Sequence, residues 1–365
     1  MRELGSAGKQ QKHFASLDGL RGIAAISVVI YHLGHWLDVP TLATNSGLAV
    51  DLFFCLSGFV LPLAYQRRSD MLSSRQFLEI RLVRLMPLIV LGIAITAPYV
   101  VLRSRFKPDG GVPYIPLAIS IILGLFNLPY FNAPRTVGGP LLYPLNGPQY
   151  TIFLELLVNA LWWGTRRINQ IQLSLTLAIA CFLILTRTGL GGDVTATFWS
   201  GFPRVGASFF AGVATFHLDG RVPNWRGWTA VFWSLVIVML ILFYVPYEAP
   251  LAIQLVWLVL SPILVLAGAR ARLSTRMTEM GVLGGAVSYP IYCLHYPLFC
   301  WINGIYRAHF GPQNIMREGP IVTVVVLILS FVALKLYDEP IRRALSARLK
   351  RRQGVDLSSR TAVHS

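Results

Sequence analysis

The chain has 365 residues, 55% of them apolar and only 13% charged, with a mean hydropathy of +0.58. A water-soluble domain must cover itself with charge, and this composition leaves too little to do so. The net charge of +16 would suit nucleic acid in a soluble protein, but the basic residues fall in short loops between apolar runs, so membrane anchoring accounts for them and nucleic-acid binding is not expected.

Residues 1–16 form a short basic segment carrying Arg2, Lys9 and Lys12. The apolar run at 17–37 is long for a signal peptide and lacks a small-residue cleavage site, so it reads as an uncleaved first span. Further runs centre on 46–65, 84–102, 113–130, 148–165, 169–186, 202–217, 226–246, 250–268, 283–304 and 319–337. Runs of this length must be helices, because lipid offers no partners to exposed backbone groups. The run at 113–130 differs from the rest: it holds Pro113 and Pro116 and stops at Asn127-Leu128-Pro129, so it is expected to re-enter or to lie in the interface. Leaving it out gives about ten spans with both termini cytoplasmic, and puts 23 basic residues inside against 8 outside. The expected fold class is therefore all-α, a polytopic integral membrane helical bundle over 17–338. Residues 103–149 make its one long outer segment, and 339–365 a basic cytoplasmic tail, disordered or surface-bound. Cys55, Cys181, Cys293 and Cys300 all lie inside apolar runs without metal-ligand spacing, so neither a disulfide nor a metal is expected.

Ionisable residues inside spans are costly and mark candidate sites. Arg21 and His32 stand eleven positions apart, which returns a helix to within roughly 20° of the same face about 16 Å further along. Asp51 and Glu155 each lie about five residues into a run that enters from outside, so both are expected near the depth of His32. A carboxylate beside an imidazole can fix its tautomer, as a general base needs; each acid could equally bond backbone at its helix start. Arg81 and Arg84 share a helix face at the inner surface, where guanidinium groups suit phosphate and also suit plain anchoring. Arg67, Arg68 and Arg75 read as ordinary anchors. Ser288, Tyr292 and His295 form a polar stripe between Pro290 and Pro297, either a structural seam or a substrate contact.

These positions coincide with a known signature, and the chain resembles the membrane-bound acyltransferase 3 family nearly end to end. Leu17-Asp18-Gly19-Leu20-Arg21-Gly22-Ile23-Ala24-Ala25 with His32 is similar to the family's first block. Gly47-Leu48-Ala49-Val50-Asp51-Leu52-Phe53-Phe54-Cys55-Leu56-Ser57-Gly58-Phe59 resembles the second, and Arg81-Leu82-Val83-Arg84-Leu85-Met86-Pro87 the paired-arginine block. Ser288-Tyr289-Pro290-Ile291-Tyr292-Cys293-Leu294-His295 and the closing Glu339-Pro340 resemble the last blocks. One block departs: where the family usually shows Trp-Ser-Leu, this chain has Tyr150-Thr151-Ile152. An aromatic, a hydroxyl and an aliphatic are kept, so a change in acceptor shape is expected rather than a lost role.

The resemblance implies O-acyl transfer, usually of acetyl from acetyl-CoA, to sugars of polysaccharides, lipopolysaccharides or related glycoconjugates of the cell envelope; other members acylate macrolide-like small molecules. It implies a bacterial inner-membrane enzyme working beside membrane lipid; some members carry a fused outer esterase-like domain, which this chain is expected to lack, so any envelope or polysaccharide-assembly partner would be separate. Arg21, Arg81 and Arg84 would then hold the acyl-CoA, and His32 with Asp51 or Glu155 would deprotonate the acceptor. Ser57, Tyr150, Tyr292 and His295 would contact substrate. A covalent acyl-His or acyl-Ser57 intermediate is the alternative route. A transporter or flippase is the competing class, since membrane acids and histidines also build proton relays.

Overall fold

The computed structural model describes residues 14–65, 72–106, 111–246 and 250–361. Among these residues no strand occurs, only one isolated bridge between Leu141 and Val194. The helices are α1 (Ala15–Trp36), α2 (Ala49–Tyr65), α3 (Ser74–Arg105), α4 (Tyr114–Leu125), α5 (Gln149–Thr165), α6 (Gln170–Thr188), α7 (Gly201–Asp219), α8 (Trp228–Tyr244), α9 (Pro250–Arg270), α10 (Thr275–Phe310), α11 (Ile315–Ala333) and α12 (Glu339–Thr361). Short polar residues start several of them: Ser73 closes a capping box with Gln76 at α3, and Asn169, Ser274 and Asn314 cap α6, α10 and α11.

Six helices among the described residues are long and apolar enough to cross a membrane: Ala15–Trp36, Ser46–Tyr65, Ser74–Arg105, Gln170–Thr188, Ala252–Arg270 and Ile315–Arg352. The doubtful run at 113–130 becomes α4, twelve residues and so about 18 Å, well short of a ~30 Å hydrocarbon core. The segment read as a basic tail, disordered or surface-bound, is helical as α12, joined to α11 by a π-helical turn at Leu334–Asp338. Arg67 and Arg68, together with Arg2, Lys9 and Lys12, lie outside the described residues.

Two glycine-lined contacts set the geometry of the interior. Parallel helices α1 and α10 meet through Gly19 and Gly22 against Gly281 and Gly284, and a Cβ on Gly22 would lie 2.9 Å from the Gly284 Cα. Parallel helices α2 and α7 approach as closely: a Cβ on Gly58 would collide with the Phe209 carbonyl, and one on Gly212 with that of Cys55. Small residues are how apolar helices pack without a hydrophobic drive between them. Because both pairs run parallel in tight register, His32 is carried to His295 and Asp51 to Arg204. Between them lies a core of fully buried side chains including Leu20, Leu52, Leu56, Phe59 and Phe209. Ile179, Leu183, Ile237 and Val259 project outward from α6, α8 and α9.

The segment after α4 is tied inward rather than left as a free loop. Pro297 has no N–H for the Cys293 carbonyl, and Asn146 Nδ2 donates to that carbonyl at 3.1 Å. Gln149, at the start of α5, donates to the Gly124 carbonyl at the end of α4. Burial in this segment pushes the Tyr143 phenol up, and its hydroxyl donates to the Asn127 carbonyl.

Candidate active site

Two cavities lie along the α1–α2–α5–α10 interface, one toward each end of the bundle. The end at which α1, α3 and α10 begin carries Arg21, Arg81, Arg84 and Arg342 and is called the basic face; the opposite end is the far face. The basic-face cavity, about 350 Å³, is lined by Arg21, Arg84, Ser57, Glu155, Ser288 and Tyr289. Its deeper walls are apolar, with Val50, Phe53, Phe54, Leu85, Ile152 and Pro290. One oxygen of Glu155 accepts both from Arg81, at 2.7 Å, and from the Ser57 hydroxyl, at 2.8 Å. Arg81 is buried and does not line the cavity, whereas the neighbouring Arg84 does.

The far-face cavity, about 510 Å³, is walled by rings and a few charges: Tyr31, His32, Trp36, Tyr150, Asp193 and Arg204. His32 stacks on Trp36 with ring centroids 4.9 Å apart and on His295 at 5.1 Å. His295 is buried; its Nδ1 faces the Ile291 carbonyl at 3.1 Å, and its Nε2 has no partner. If Nδ1 carries the proton, as that contact favours, Nε2 presents a lone pair beside His32.

Val50 and Tyr292 line both cavities, so they form the wall between them. The Tyr292 hydroxyl shares a 2.7 Å hydrogen bond with that of Thr151, and its ring lies edge-on to Phe53 at 5.6 Å. The substituted block Tyr150-Thr151-Ile152 thus straddles the wall. Tyr150 faces the far cavity, Ile152 the basic one, and Thr151 holds the partition.

Of the residues singled out in sequence, Arg21, Arg84, Ser57 and Glu155 come together at the basic face, with Arg81 behind them. His32, Tyr150 and Tyr292 meet at the far face, with His295 behind them. The expected pairing of His32 with an acid is not formed. Asp51 is fully buried, and both its oxygens are taken by Arg204, at 3.0 and 2.9 Å, with Ser208 on one of them. Glu155 is on the other side of the partition. Arg204, one of the 8 outer basic residues of the charge count, lies inside the apolar run 202–217, a place that marks it as an intramembrane charge. Trp36, Asp193 and Arg342 were also missed; nothing in their local sequence separates them from interface and loop residues.

The acyltransferase-domain model of the acyltransferase 3 family matches residues 14–335, nearly all of the two-cavity bundle. The chain belongs to this family. It is a multi-pass membrane protein and an acyltransferase that moves groups other than aminoacyl groups. Among curated relatives, Protein 2 in the picA locus of Rhizobium radiobacter is 34% identical over 193 residues, covering 48% of this chain and 94% of that protein. The O-acetyltransferase OatA of Staphylococcus aureus is 23% identical over 379 residues, covering 91% of this chain and 58% of that protein. The chain therefore spans little more than half the length of OatA. No solved structure matches.

Proposed function

We propose that this acyltransferase takes an acyl group, most simply acetyl, from acyl-CoA at the basic face and delivers it to a hydroxyl of a carbohydrate or glycoconjugate at the far face. The basic face is then cytoplasmic, the chain crosses a bacterial inner membrane ten times, and both termini are cytoplasmic. The observation that carries this reading is the division of labour between the cavities: guanidinium groups over a narrow apolar slot on one side, and His32 among aromatic rings on the other. The first suits an anionic head with a thin, uncharged arm. The second suits a hydroxylated ring substrate that must be stacked and deprotonated.

In this reading Arg21 and Arg84 hold the donor's phosphates while Phe53, Phe54 and Ile152 flank its arm. The donor supplies an activated thioester carbonyl when bound. The thioester reaches past Val50 and Tyr292 to the His32 side; there His32 takes the acceptor hydroxyl proton, the acceptor oxygen forms the new ester bond as the C–S bond breaks, and the proton leaves with the released thiol. Neither Asp51 nor Glu155 reaches His32; stacking between Trp36 and His295 fixes its plane. A second route is favoured by one contact, the 2.8 Å hydrogen bond from Ser57 to Glu155, which could deliver acyl to the serine first. Arg81 on the same carboxylate oxygen competes for that proton-accepting position and favours direct transfer.

The test is purified protein in lipid nanodiscs with radiolabelled acetyl-CoA, with and without envelope glycan acceptors, read by scintillation and mass spectrometry. Label appearing on glycan only when donor and protein are both present is expected. Movement of unmodified glycan without acylation would establish a transporter instead, and label trapped on Ser57 without acceptor would establish the two-step route.

A further inference from the structure

The mouth of the basic-face cavity is completed by residues outside all the recognised blocks but the closing one. Leu334, Asp338, Glu339 and Arg342 line it alongside Arg21 and Arg84. They sit on the π-helical turn Leu334–Asp338 and the first turn of α12. A π turn inserts one residue and so rotates the helix beyond it by about 100°. Such turns favour functional positions because they re-aim side chains, and here the turn leads directly into the residues at the mouth.

The two arginines that follow the turn are used differently. Arg343 is largely exposed and pairs with Glu339 at 3.0 Å. Arg342 turns to the cavity and is about one-third exposed, held by Asp338 at 3.0 Å. Asp338 is itself 1% exposed, one of its oxygens has no partner, and the Arg342 Nε is buried without one either. Membrane anchoring does not account for this arrangement, since an anchoring arginine reaches for water or lipid headgroups and not for a buried carboxylate on a cavity wall. A half-satisfied buried pair beside an opening is what remains when a ligand supplies the other contacts.

We infer that Arg342, held by Asp338, is the binding residue for the ribose 3′-phosphate of the CoA donor. The assignment rests on the acyl-CoA reading and adds a place for the nucleotide end. A cavity of about 350 Å³ is at the small end of ligand sites, which run from about 300 to 1,000 Å³. It has room for the acyl-bearing arm, so the nucleotide stays at the mouth. Arg21 and Arg84, on α1 and α3, line the same opening and serve the diphosphate. Arg342 is the third guanidinium lining the opening and is held by a buried carboxylate, so it serves the remaining phosphate, the 3′-monoester. A phosphate monoester takes paired donors from one guanidinium, the geometry Arg supplies and Lys does not.

The experiment compares binding of CoA and of 3′-dephospho-CoA to detergent-purified wild type, Arg342→Gln and Arg348→Gln by calorimetry, with acyl-transfer KM for the matching acetyl donors. Arg348 is exposed on the same helix, so its substitution removes the same charge without touching the cavity. Expected is a 10- to 100-fold weaker CoA affinity for Arg342→Gln, by the usual order of magnitude for a charge-assisted contact, and no difference between wild type and Arg342→Gln toward 3′-dephospho-CoA. Arg348→Gln should follow wild type toward both. The assignment is overturned if Arg342→Gln weakens both ligands equally, weakens neither, or is matched by Arg348→Gln. Failure of the wild type to bind CoA at all overturns the donor reading itself, and this assignment with it.

Discussion

The two cavities share a wall and almost nothing else. The basic-face cavity is built from charges that neutralise one another locally, with Glu155 on Arg81 and Asp338 on Arg342, over an apolar slot. The far-face cavity is built from stacked rings, and Asp51 is withdrawn from it into a closed pair with Arg204. Binding of an anion needs fixed cations at an opening, while deprotonation of a neutral hydroxyl needs an uncharged base in a low-dielectric pocket. Placing both in one chamber would let the cations hold the base in check. The partition allows each to be tuned separately, and it gives the comparison its sharpest test. His32→Ala should lower acyl transfer by about 10²- to 10⁴-fold, the usual share of a positioned acid–base group, while CoA affinity measured calorimetrically stays at the wild-type value. A parallel loss of CoA affinity would merge the two cavities into one functional unit.

Next in size is the buried pair behind the far cavity. Removing one partner of such a pair leaves a stranded charge and costs about 3–5 kcal/mol, whereas replacing both by apolar residues often costs little. Asp51→Ala should therefore lower the melting temperature in detergent sharply, and the double substitution Asp51→Leu with Arg204→Met should recover most of the loss. If Asp51→Ala kept its thermal stability and lost only turnover, the carboxylate would belong to the chemistry after all. The paired arginines of the basic face should part company in the same way. Arg84→Gln should weaken CoA binding about 10-fold or more at an unchanged melting temperature, and Arg81→Gln should cost stability first, because it strands Glu155.

The helical class, the oddness of 113–130 and the grouping of Arg21 with Arg84 were all legible in sequence, because hydropathy and helical spacing are local. What misled was depth. Counting residues from a helix start placed Asp51 and Glu155 level with His32, on the assumption that both helices begin at the membrane boundary. Gln149 begins α5 against the inner end of α4, already inside the bundle, so six residues later Glu155 is past the partition. Depth also says nothing of azimuth, and Asp51 faces α7 because Gly58 and Gly212 lock those two helices together. The partner it meets there is 153 residues away in sequence, beyond any local pattern. Arg342 escaped for a related reason: a π turn shifts phase by one residue, and a reading based on regular helical period cannot see it.

The smallest expected effect concerns the wall itself. Tyr292 closes the partition with its ring against Phe53 and its hydroxyl on Thr151, so removing the hydroxyl leaves the barrier and removes only its latch. A neutral hydrogen bond is worth about 0.5–1.5 kcal/mol, so Tyr292→Phe should change transfer by no more than about 10-fold. Tyr292→Ala removes the ring as well and should behave differently in kind. Without the ring the passage that the thioester takes through the wall stays open around it, so water from the far side gains access to the donor carbonyl, and acyl-CoA hydrolysis without acceptor should rise even as transfer falls. Measuring thiol release and ester formation side by side separates the two outcomes. A matched fall in both would mean that Tyr292 contacts substrate and does not divide the cavities.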